Sequence, residues 1–197
     1  MGRKRLGEEE RREAILRGAF EVACREQLSG LSARAVAEAA GVSKGLVFFY
    51  FGDRETLLLE LLDWLLETTL VVEPPPESDG GDGPGRRLLA LVTREVEKLP
   101  RDRARAELFL DFWVAGQRAP EIQKRIRAAF DRYRGAFLAY TEHVVSRAPE
   151  RFGPEGARGL AAAAVSFIEG CALQLISDPA GFDVDRYMRA VRGLVLR

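Results

Sequence analysis

A chain of 197 residues has room for one sizeable core or two small ones. Its 30 basic and 30 acidic side chains cancel, which excludes a uniformly cationic coat for nucleic acid, and any DNA contact must be local. The two cysteines, Cys24 and Cys171, are far apart in sequence with no metal-ligand spacing, so neither a disulfide framework nor a metal site is expected.

Residues 1–6 hold Arg3, Lys4 and Arg5 without an acid or an apolar anchor. Such an arm can lie along phosphates or in a minor groove, or be a solvated terminus. The opening is charged rather than apolar, so no secretory leader is expected. A first helix is predicted over 8–26, with acids in its first turn and Ile15, Leu16, Ala19, Phe20 and Ala23 on one face.

Two short helices joined by a tight turn follow over 32–51. Ser32 caps the first through its hydroxyl, and Val36, Ala37 and Ala40 recur at helical spacing. Gly41 stands where the helix must stop, because a residue without Cβ enters the left-handed region cheaply. Ser43 caps the second helix, which turns Val47 and Tyr50 inward. Its outer side is left with Ser43, Lys44, Gly45, Leu46, Phe48 and Phe49. This is helix-turn-helix economy, with an outer face suited to a DNA major groove. Arg34 and Arg54 add local positive charge.

The stretch GVSKGLVFFYFGDRETLL, with AVAEAAG before it and Ile15, Ala19 and Phe20 upstream, resembles the TetR family of bacterial transcriptional repressors. The resemblance covers residues 10–60. It implies an N-terminal three-helix DNA-binding part and a C-terminal helical bundle that binds a ligand and dimerises. Carried over residue by residue, it implies DNA contacts at Lys44 and at Leu46, where many relatives have a small hydroxyl residue. Phe48 stands where tyrosine is most frequent: it keeps an apolar contact to sugar or thymine methyl and loses a phosphate hydrogen bond. Tyr50 takes a place where histidine or tyrosine is common, and Arg54 matches a basic residue that approaches phosphate.

A fourth helix over 54–72 carries Leu57, Leu58, Leu61, Leu62, Trp64 and Leu65, too apolar for a surface helix. Glu60, Asp63 and Glu67 interrupt it, so it falls short of the roughly 20 apolar residues of a membrane span. Residues 73–85, EPPPESDGGDGPG, read as an exposed connection. Further helices are predicted over 86–99, 103–117, 120–146 and 154–176, with a last one capped by Asp183. The sixth, with Leu108, Phe109, Phe112 and Trp113, is apolar nearly all round and is expected in the middle. The architecture is thus all-α, about nine helices, divided as 1–53 for DNA binding and 54–197 for ligand and dimer.

Leu61, Trp64, Leu65, Phe109, Phe112, Trp113, Phe137, Tyr140, Phe167 and Cys171 form an interior that can enclose a mostly apolar effector or simply fill a core. In the last two helices, Leu160, Ala164, Phe167, Ile168, Leu175, Tyr187, Met188, Val191 and Leu194 form stripes that suit a self-complementary contact between two subunits, or the monomer's own core. A homodimer is favoured, because one helix-turn-helix reads too few base pairs and two-fold symmetry matches a palindromic operator. The expected protein is a cytoplasmic repressor of double-stranded DNA, released by a small molecule, with no cofactor and no membrane partner. A helical protein-interaction module or a ligand-independent regulator are the alternatives. Enzyme chemistry finds no support: there is no phosphate loop, no nucleophile triad order, and Glu169 is the main acid near the apolar seams.

Overall fold

The computed structural model describes residues 7–74 and 83–195. Among them are ten α-helices, one 3-10 turn and no strand: α1 Glu8–Glu26, the turn Leu28–Gly30, α2 Ala33–Ala40, α3 Lys44–Phe51, α4 Arg54–Thr69, α5 Pro84–Lys98, α6 Arg103–Gly116, α7 Pro120–Ser146, α8 Pro149–Phe152, α9 Gly156–Ser177 and α10 Val184–Val195. The short α8 was not expected from the sequence. Pro149 sets its first turn, and Gly153, in the left-handed region at φ 70°, ends it after four residues. Arg3, Lys4 and Arg5 lie outside the described residues.

Two compact units divide the chain, one holding the described residues of 1–69 and 107–126, the other those of 70–106 and 127–195. The division into compact units thus falls at the end of α4 and inside α6 and α7.

In the first unit, Ile15, Ala19, Val22, Val36, Val47, Leu57, Leu61 and Leu65 are buried to 2% exposure or less. α1 braces α2 at close quarters because Gly18 faces Ala40: a Cβ there would lie 2.9 Å from the Ala40 backbone nitrogen. Arg12 ties three helices, pairing with Glu60 on α4 at 2.5 Å, donating to the Tyr50 carbonyl at 3.5 Å and stacking over the Phe51 ring. Asp53 caps α4 by accepting from the Thr56 N–H at 2.7 Å, a bond that holds its carboxyl below its ordinary range. Arg125 on α7 pairs with Asp63 on α4. α6 departs from its expected central place. Phe112 is fully buried, whereas Trp113 is 49% exposed and Val114 is exposed. An all-round apolar composition does not oblige every side to be covered.

In the second unit, one core joins Leu88, Leu91, Val92 and Val96 of α5 to Tyr133 and Phe137 of α7 and to Ala161, Ala164, Val165, Ile168 and Cys171 of α9. α9 is the one described helix long and apolar enough to cross a membrane, and its buried residues belong to this core. α10, capped as expected by Asp183 accepting from the Arg186 N–H at 2.8 Å, packs on α9 through Tyr187, whose hydroxyl donates to the Phe167 carbonyl at 2.6 Å.

Candidate nucleic-acid interface and effector core

The turn between α2 and α3 is built as its residues dictate. Ser32 accepts from the Ala35 N–H and Ser43 from the Leu46 N–H, each at 3.2 Å. Gly41 adopts φ 65°, and the Val42 N–H then returns to the Ala37 carbonyl at 2.9 Å, closing the helix end. Val47 and Phe51 are buried and Tyr50 is half-buried, fixing which side of α3 faces the protein.

The opposite side faces solvent. Lys44, Gly45, Phe48 and Phe49 are exposed at positions i, i+1, i+4 and i+5, forming one continuous strip. Phe49 is 76% exposed and Phe48 46%. The Lys44 ammonium sits 5.4 Å from the Phe48 ring centroid, and Phe49 meets Tyr50 edge-on at 5.2 Å. Ser32, Arg34 and Ser43 are also exposed, whereas Leu46 is half-buried. Arg54 is exposed but committed, its guanidinium donating to the Leu31 and Leu28 carbonyls at 2.7 Å each. Its first task is therefore to fix the turn before α2 onto α4, which leaves fewer of its N–H groups for a phosphate.

The expected effector residues are divided between the two units. Leu61, Trp64, Leu65, Phe109, Phe112 and Trp113 belong to the first unit; Phe137, Tyr140, Phe167 and Cys171 belong to the second. Trp113 is too exposed to line an interior, and the fully buried Leu61, Leu65 and Phe112 serve the first unit's packing. A cleft of about 180 Å³ in the second unit, lined by residues that include Leu99, Pro100, Arg103 and Leu175, contains none of the ten.

The second unit instead holds two acids against its apolar core. Glu95, 4% exposed, accepts from the Tyr133 hydroxyl at 3.0 Å and pairs with Lys98 at 2.7 Å. Glu169 acts on the same Tyr133, and its own burial raises its carboxyl to about 7. Burial, together with the Glu95 carboxylate, pushes the Tyr133 phenol far above its ordinary range, so it donates and does not ionise. Burial also lifts the Cys171 thiol to about 11, which leaves it an inert apolar filler. Glu95 had a sequence signal, an acid in register with Leu88, Leu91 and Val92 on the buried stripe of α5.

The proposed subunit stripes divide likewise. Ala164, Ile168 and Val191 are buried within their own chain, against the expectation that they line a subunit contact. Leu160, Phe167, Leu175, Tyr187 and Met188 are half-buried, while Leu194, at 62%, is exposed along with Leu173, at 52%.

Residues 15–61 match the model of the bacterial regulatory proteins of the tetR family, and residues 84–197 match the BetI-type transcriptional repressor C-terminal model. The chain belongs to the TetR family. Among its relatives, the HTH-type transcriptional regulator BetI of Stenotrophomonas maltophilia is 28% identical over 118 residues, 60% of each chain. BetI 1 of Chromohalobacter salexigens is 26% identical over 176 residues, 89% of this chain and 84% of that protein. The fold matches that of a transcriptional regulator from Saccharomonospora viridis solved in complex with choline, with TM-score 0.69, 20% identity and 97% coverage of both chains. These TetR-family relatives are named as regulators of transcription, and this chain is a regulator rather than an enzyme. The outward strip of α3 falls inside the matched DNA-binding segment, and Glu95 and Glu169 fall inside the matched BetI-type segment.

Proposed function

We propose that the chain is a cytoplasmic, homodimeric repressor whose two copies of α3 enter successive major grooves of a palindromic operator, about 34–36 Å apart. The observation that carries this is the solvent-facing strip Lys44, Gly45, Phe48 and Phe49 on a helix otherwise fixed to the protein by Val47 and Phe51. Ser43 and Tyr50 flank the strip, Ser32 and Arg34 lie on the helix before it, and Arg3, Lys4 and Arg5 supply an arm for phosphates or the minor groove. Leu173 and Leu194 join Leu160, Phe167, Leu175, Tyr187 and Met188 as the candidate subunit contact.

Gly45 separates a DNA-facing role from a packing role. A Cβ built there meets only the Ser43 Oγ, at 3.9 Å, so the protein itself does not require glycine. Gly45→Ala is expected to stabilise the fold by about 0.5–1 kcal/mol in thermal or urea unfolding. It is also expected to weaken operator binding in a gel-shift titration against DNA upstream of the gene, because the added methyl stands between helix and groove. Unchanged operator affinity, or no preference over random DNA at moderate salt, refutes the reading.

For the effector, the acids of the second unit favour a small cation with apolar substituents, of the choline class, over a neutral apolar molecule. A quaternary ammonium is held by aromatic faces and by carboxylates together. The half-buried Tyr140 supplies a ring face, and Glu169, with no ion-pair partner among the described residues, supplies the charge. A preference of a few kcal/mol for the non-binding state suffices to empty an operator. Choline is expected to weaken the operator complex of the wild type and to leave that of Glu169→Gln unchanged.

A further inference from the structure

From the strip on α3 we infer that sequence is read chiefly through methyl groups, with Phe48 and Phe49 packing on the C5-methyls of thymines in the major groove. This rests on the regulator reading above and names what its recognition helix distinguishes.

The argument is one of chemical inventory. Hydrogen-bond readout of base edges needs donors and acceptors that reach them, and the major groove otherwise presents a single apolar feature, the thymine methyl. On the outward strip Lys44 is the one side chain with a hydrogen-bonding group; Gly45 has no side chain, and Phe48 and Phe49 have rings alone. Next to the strip, the Ser43 oxygen already accepts from the Leu46 N–H. Lys44 is itself drawn toward the Phe48 ring, 5.4 Å from its centroid. Phe49, at 76% exposure, carries the larger apolar surface into water and is steadied by the edge of Tyr50. Two phenyl rings held outward on a rigid helix, beside a residue that leaves the groove unobstructed, make a surface complementary to methyls. Arg34, exposed on the preceding helix and outside the strip, is a further hydrogen-bond donor beside this apolar surface.

The test starts from duplexes selected by the full-length protein out of a random library. Thymines in the selected site are then replaced one at a time by deoxyuridine, which keeps every hydrogen-bonding group and removes only the methyl. Wild-type affinity is expected to fall roughly fourfold for each contacted methyl. At those positions 5-methylcytosine is expected to bind better than cytosine. The variant with both Phe48→Ala and Phe49→Ala, two exposed positions, is expected to bind thymine and uracil duplexes alike. Equal wild-type affinity for thymine and uracil at every position, with sequence preference retained, overturns the methyl readout and leaves the regulator standing. So does discrimination that survives in the double variant. Failure to select any sequence overturns both.

Discussion

Replacing Gly18 with alanine is expected to destabilise the first unit, a sign opposite to that of most glycine-to-alanine changes in a helix. The added Cβ would sit 2.9 Å from both the Cβ and the backbone nitrogen of Ala40. A backbone atom cannot rotate aside as a long side chain would, so α1 and α2 must separate. Overpacking of this kind costs about 1–3 kcal/mol. The gain in helix propensity returns only about 0.5–1 kcal/mol. Urea unfolding is expected to show a net loss, together with weaker DNA binding, since α2 and α3 share the turn at Gly41. Gly135→Ala supplies the contrast: that glycine lies within α7 with nothing inside 4 Å of a built Cβ, and the change is expected to stabilise. A Gly18→Ala protein as stable as the wild type would mean that α1 and α2 are not locked at this crossing.

The second large effect is pH-dependent. Burial raises the Glu169 carboxyl from its ordinary 4.5 to about 7, so between these values the folded chain holds a proton that the unfolded chain has released. Stability contributed by that proton is full below pH 4.5, declines as pH rises toward 7 and is gone above it. The whole difference is about 3 kcal/mol at most, reduced by solvent screening because Glu169 is only partly enclosed. Glu169→Gln mimics the protonated form. It is expected to leave stability at pH 5 nearly unchanged and to raise it by up to about 3 kcal/mol at pH 8, read as a rise in the unfolding midpoint. A variant equally displaced at both pH values would show that Glu169 does not titrate in this window. With the choline-class reading, the same buried carboxylate is a cost that a cationic ligand removes, linking ligand affinity to pH in the same range.

What the sequence disclosed depended on the range of the interaction. Ser32, Gly41 and Ser43 declare themselves because each acts within a few residues, and the structure builds them as the capping and turn rules require. Arg12 does not, since its hydrogen-bond acceptor on Tyr50 lies 38 residues away and nothing in the local pattern distinguishes it from the neighbouring arginine. Gly18 is silent for the same reason, its partner being Ala40 on another helix. Arg54 was legible as a cation at a helix start, but its engagement with Leu28 and Leu31 was not. Periodicity locates an apolar stripe without saying what covers it. Ala164, Ile168 and Val191 turn into their own chain where a subunit contact had been expected, whereas Trp113 turns outward from an expected interior. Glu169 was legible as the main acid near the apolar seams, whereas Glu95, though in register with Leu88, Leu91 and Val92, is obscured by the apolar members of its own stripe.

The path of the backbone bears on how the protein can be taken apart. Because 107–126 is grouped with the N-terminal segment, the unit that carries α3 is not one continuous stretch of polypeptide. A fragment stopped at Thr69 would lack that later stretch, including the Arg125 partner of Asp63, and grafting residues 1–69 onto an unrelated effector domain would transplant an incomplete fold. Chimaeras between members of this family are better joined where both crossings, at 106 and at 126, come from the same parent as α4.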